Sequence, residues 1–139
     1  MKFTHVSLIA LCALGVAAAA DEQKTAAQPV RTILERHDQS GVPGKEIVSG
    51  SAVLPAGAVI GYHTHPGDEA GFVLKGTLIW RVQGQPDRTL KAGDSFFNPR
   101  GSVHGVATAP GGDGATAVSA WIIDKGQPLA TPAPAGGRQ

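Results

Sequence analysis

Gly57-Ala-Val-Ile-Gly-Tyr-His63-Thr-His65-Pro-Gly-Asp-Glu69 is the stretch of this 139-residue chain on which the fold is decided. The segment is bounded by glycine and proline, and the residues around the two histidines are read as an extended strand. Along a strand, residues two apart share a face and lie about 6.6 Å apart, so the rings of His63 and His65 converge on one point. Pro66-Gly67 then turns the chain and lets Glu69 return from the start of the next strand. Neutral imidazoles beside a carboxylate suit a divalent transition metal (iron, manganese, nickel, copper or zinc) and disfavour calcium. Alone, two histidines on one strand face are also compatible with ordinary polar residues bonded to backbone.

A second segment strengthens the metal reading. His104 follows Pro99-Arg-Gly101, again in an aliphatic setting where a buried imidazole without a partner would be costly. His63, His65, Glu69 and His104 are therefore the candidate metal ligands. His37 lies outside both segments and is expected to be exposed. Tyr62 and Thr64 alternate with the two histidines and belong on the opposite face. Phe72, Trp80, Phe97 and Trp121 are candidates for pocket lining or core. Arg81 and, better placed, Arg100 are candidates to meet an anionic substrate. Asp94 is expected to shape the corner at Gly93 through a side-chain turn bond.

Outward from these segments, nineteen Gly and ten Pro are spread at short intervals between runs of Val, Ile, Leu, Thr and Phe, a pattern of many short strands. With 42% apolar and only 17% charged residues, the chain can build a core, and an all-β sandwich or barrel follows. Lys45 to Leu54 alternates as a strand, and Lys75-Gly76 reads as a hairpin turn between the strands 71–74 and 77–82. Val30 to Arg36 fits either a strand or one helical turn. Ala115 to Asp124 reads as the last strand.

The ends read differently. Met1-Lys2, an apolar stretch from Val6 to Ala20 and the small residues Ala18-Ala19-Ala20 have the three parts of a secretory signal peptide, too short for the roughly 20 residues a membrane span needs. Cleavage after Ala20 predicts an exported protein, periplasmic or secreted, with no membrane partner. It also removes the single cysteine, Cys12, and with it any disulfide, thiol nucleophile or cysteine ligand. The remaining chain has balanced charge and scattered Lys and Arg, so no nucleic-acid partner is expected. The organisation expected is a signal peptide over 1–20, a lead-in and edge segment over 21–44, a barrel over 45–124 and a flexible Pro/Ala/Gly tail over 125–139.

The two segments together resemble the cupin family. Gly57, His63, His65, Glu69 and Gly76 keep every spacing of its first motif. Gly93, Pro99, Gly101 and His104 match its second, with Thr108 where Asn is usual. The resemblance implies a single-domain jelly-roll barrel, or double-stranded β-helix. It further implies one divalent metal held by His63, His65, Glu69 and His104, with positions left open to a small-molecule substrate. It leaves the reaction open: dioxygenase-like chemistry is the leading expectation, with lyase, isomerase or decarboxylase chemistry, or ligand binding without turnover, as alternatives. Glu69 is the candidate catalytic base should it leave the metal. Pairing of the 30–34 segment with a neighbouring copy would give a homodimer. There is no nucleophile elbow, phosphate loop or dinucleotide fingerprint to support another catalytic class.

Overall fold

The computed structural model describes residues 28–135, so the leader reading and Cys12 lie outside the described residues. Nine strands build it: β1 (Val30–Asp38), β2 (Lys45–Leu54), β3 (Val59–Thr64), β4 (Gly67–Val82), β5 (Arg88–Lys91), β6 (Ser95–Asn98), β7 (His104–Ala107), β8 (Ala115–Asp124) and β9 (Thr131–Pro132). All pairings are antiparallel, in the order β1-β2-β8-β4-β7-β3-β9, with β5 and β6 also on β4. This is the all-β double-stranded β-helix that the sequence implied.

β4 makes the fold two-layered. Its first half pairs with β8 and β6, its second half with β5 and β7, so one long strand crosses from one sheet to the other. The crossing point is Lys75-Gly76, which corrects the hairpin expected there. The register against β8 shifts between Val73 and Lys75, and Gly76 takes φ +77. A Cβ on Gly76 would collide with the Gly114 carbonyl, so the glycine serves a bulge where the strand passes close to another backbone.

Between the sheets the apolar positions interdigitate. Leu54, Val73, Leu78, Trp80, Leu90, Phe96 and Val106 belong to the main core, while Val48, Trp121 and Ile123 form a smaller one. The alternation is clean along β8, where Ala115, Ala117, Ser119, Trp121 and Ile123 face inward. Val30 to Arg36 resolves as strand: β1 lays Arg31 opposite Ala52 and Arg36 opposite Val48 at the edge of the sheet.

The tail expectation is corrected for its first part. Leu129 packs against the Val48–Trp121–Ile123 cluster, Thr131 and Pro132 pair with Thr64 and His63, and the Ala133 amide donates to the Tyr62 carbonyl at 2.9 Å. The segment cannot form a core of its own, but an unpaired strand edge and one apolar anchor are enough to dock it.

Candidate metal centre

His63 lies on β3, His65 just past its end and His104 at the start of β7. On β3 the register slips between Ile60 and His63, so two residues, Gly61 and Tyr62, face one, Gly105. This bulge turns both Ile60 and His63 inward, opposite Val106 and His104. His65 follows the strand end, and all three rings are buried. Their ligating nitrogens lie within 4.8 Å of one another, and the ring centroids are 4.4 to 5.1 Å apart. These three histidines could bind a metal ion.

Each ring is oriented by a backbone carbonyl. Nδ1 of His63 meets the Gly61 carbonyl at 2.8 Å, that of His65 the Leu129 carbonyl at 2.6 Å, and that of His104 the Ser102 carbonyl at 3.0 Å. A carbonyl only accepts, so Nδ1 carries the proton and Nε2 of each neutral ring carries a lone pair aimed at the common centre. The indole N–H of Trp121 donates to Nε2 of His65 at 3.3 Å, which agrees with that tautomer but occupies the lone pair, so His65 must give up this bond to ligate a metal. Burial pushes His63 down to about 4, with the backbone bond to Gly61 opposing and His104, His65 and Arg31 adding to the fall.

Glu69 comes from the other sheet. Its Oε2 lies 3.1 Å from Nε2 of His104 and 3.3 Å from Nε2 of His65, and accepts from the side-chain amide of Asn98 at 2.8 Å. Burial alone would raise the carboxyl, but the contacts with His104, His65 and Asn98 outweigh it and hold Glu69 well below the usual carboxylate range. Contacts this close need a positive group between the carboxylate oxygen and the two Nε2 atoms: a proton on the ring, which is what holds the carboxyl down, or a metal ion in its place. Separations of 3.1 and 3.3 Å also suit ligand atoms sharing one ion at about 2.0–2.2 Å. The donor set thus fits a divalent transition metal. The geometry brings His63, His65 and His104 into one cluster and sets Glu69 directly against His65 and His104.

The other candidates divide. Trp80, stacked on His104 with centroids 5.4 Å apart, and Trp121 line the cavity, whereas Phe72 and Phe97 face out of the barrel. Arg100 does not meet the cavity. Its amide donates to Asp68, and its guanidinium donates to the Pro66 carbonyl and the Asp124 carboxylate, tying down the loop that carries His65. Arg81 pairs with Asp87 on the surface. Asp94 accepts from the Lys91 amide at 2.8 Å and closes the corner as expected. Thr108 accepts from the Ala58 amide and donates to the Pro55 carbonyl, so it braces the entry to β3. His37 is exposed beside Glu35.

Sequence reading missed Asn98, Phe96 and Arg31. The first two were within reach: Phe96 and Asn98 alternate on β6 just before Pro99, and both point inward. The cavity has a volume of about 40 Å³, and its wall is mostly aromatic and aliphatic. Gly50, Ser119 and Gly71 form one cross-strand row beside it, and the Phe96 ring packs over Gly71. A Cβ on Gly71 would lie 2.5 Å from the Phe96 ring.

The cupin domain family matches residues 50–121. The chain belongs to the cupin family. Over 55 residues this cupin is 38% identical to the dimethylsulfoniopropionate lyase DddQ of Ruegeria pomeroyi, a stretch that is 40% of this chain and 27% of the lyase. The crystal structure of DMSP lyase DddQ from Ruegeria pomeroyi DSS-3 superposes with TM-score 0.62 at 24% identity, covering 79% of this chain and 54% of that one. A cupin-like protein of Thermotoga maritima gives 0.61 at 24% identity and 77% of both chains. The cupin described here spans about a quarter of the curated lyase and about half of the crystallised lyase chain, and at these identities the structures share its fold.

Proposed function

We propose that this cupin is an exported, metal-dependent lyase acting on a small organic molecule, with one divalent transition metal held by His63, His65, His104 and Glu69. The observation that carries it is the cluster of three buried histidines with the Glu69 carboxylate against two of them. Lyase chemistry is preferred to the dioxygenase-like subtype because the 38% identical stretch belongs to a lyase, whereas the dioxygenase reading rests on the ligand set alone. A bound metal would supply Lewis acidity toward a substrate oxygen.

The residues of the chain divide the remaining work. Their carbonyl-tethered rings keep the histidines aimed, and Trp80, Phe96 and Trp121 present ring faces that suit an apolar or soft cationic group. Glu69, held strongly ionised, serves as an anionic ligand and is a poor base in this arrangement. The sheet walls exclude bulk water. The leader adds export to the proposal, and the free edge of β1 adds pairing with a second copy.

The test is elemental mass spectrometry on the chain from Asp21 and on His63→Ala and His104→Ala. Proton NMR with dimethylsulfoniopropionate, with and without dioxygen, reads turnover, and light scattering reads self-association. The expected result is near one equivalent of metal, lost at least about 100-fold in affinity in both variants, with elimination that persists without dioxygen. A metal-free wild type sinks the metal centre. Turnover that needs dioxygen sinks the lyase reading.

A further inference from the structure

Arg31 stands apart from the other arginines. On β1 it lies opposite Ala52, which pairs with Ala117, which pairs with Val73. Directly opposed residues in antiparallel strands point to the same face, and this row is the inner one, because Val73 and Ala117 are core. Arg31 accordingly lines the cavity together with His63, Glu69 and His104. It is the one permanently positive side chain in that lining.

Its charge is not spoken for. Among the described residues Arg36 pairs with Glu46, Arg81 with Asp87 and Arg100 with Asp124, while Arg31 and Arg88 have no carboxylate or side-chain hydrogen-bond partner, and of these two only Arg31 lines the cavity. Glu69, the only acidic residue in the lining, is taken up by His65, His104 and Asn98. β1 is exposed along its length, so the guanidinium sits at the open side of the cavity and keeps its hydration until a ligand arrives. A planar fork of five donors beside an apolar wall matches a carboxylate held through two parallel bonds.

We propose that Arg31 captures the carboxylate of a small organic acid at the mouth of the cavity and points the rest of the molecule toward the histidines. This rests on the reading of the cavity as a substrate site and names the substrate class: a small monocarboxylate whose charged end stays at the mouth. Arg31 is then the residue that determines specificity for acids over their amides.

The chain supplies its own reporter, since its two tryptophans, Trp80 and Trp121, both line the cavity. The metal-containing chain from Asp21 is titrated with propionate and with propionamide, its uncharged isostere, and tryptophan fluorescence is read. Wild type is compared with Arg31→Gln, Arg31→Lys and the surface control Arg81→Gln. The expected result is a propionate half-saturation raised about tenfold or more in Arg31→Gln. Arg31→Lys falls between, Arg81→Gln is unchanged, and the weak binding of propionamide is the same in all. Equal propionate binding by Arg31→Gln overturns the assignment. So does an equal weakening for propionamide, which would mark a packing role, or the absence of any saturable response in wild type. Metal content of the same samples separates the two readings: a metal-free wild type removes the metal centre, while the ratio between wild type and Arg31→Gln still decides the role of Arg31.

Discussion

The two walls of the cavity are built by different means. The histidine wall is local: His63, His65 and His104 each sit within two residues of a turn or bulge, and two of them are tethered to a carbonyl only two residues away. The facing wall is assembled across strands. Glu69 lies opposite Trp121 on one side and Asn98 on the other, Trp121 lies opposite Val48, and Arg31 reaches the cavity from the outermost strand. The first wall survives as a motif because short-range geometry defines it. The second exists only when register is right, since a one-residue slip of β4 would turn Glu69 outward and one of β8 would turn Trp121 outward.

That contrast can be broken at Asn98. It is 1% exposed, its amide supports Glu69 across β4 and β6, and its own Oδ1 is buried without a partner. Asn98→Ala should lower metal affinity by about 10–100-fold while leaving all proposed ligands in place, measured by competition with a chromogenic chelator. Unchanged affinity would mean that Glu69 is held by the histidine side alone.

The histidine wall has one non-local support, and removing it sharpens the comparison. Ending the chain after Lys125 deletes the Leu129 carbonyl that orients His65 and the β9 pairing with His63 and Thr64. Metal affinity should fall about tenfold, less than for Asn98→Ala, with the circular dichroism spectrum retained. An unaffected affinity would show that the ring of His65 is set by the strand end and Trp121.

Acid should act on the histidine wall with a smaller effect. In the metal-stripped protein His63 is pushed down to about 4 by burial, whereas in the unfolded chain it titrates near 6.5. Between those values the unfolded state carries the extra proton, so stability falls as pH drops through the window and rises as pH climbs back. One such proton gives a slope of at most about 1.4 kcal/mol per pH unit. Urea midpoints at pH 7, 6 and 5 measure it, and a flat profile would contradict a neutral, buried His63.

Among the particulars, the spacing of His63, His65, Glu69 and His104 was legible because an invariant two-residue period and a Pro-Gly turn leave the chain few ways to run. Lys75-Gly76 was misread for an instructive reason. A glycine at positive φ serves a hairpin or a bulge equally well, and only the facing Gly114 carbonyl decides between them. Phe72 and Trp80 carried similar sequence signals yet face opposite ways, because the bulge between Val73 and Lys75 changes the parity of β4.

By itself, then, the sequence determined the all-β class, both strand-and-turn segments that bear the candidate ligands, and the kind of metal those ligands favour. These follow from local geometry and donor chemistry. Only the tertiary structure decided that Asn98 supports Glu69, that Arg100 is tied to Asp124 while Arg31 enters the cavity, and that residues 129–133 dock beside the histidines. Such relations depend on which strands become neighbours and in what register, and that is fixed by burying the whole apolar set at once rather than by any short stretch of chain.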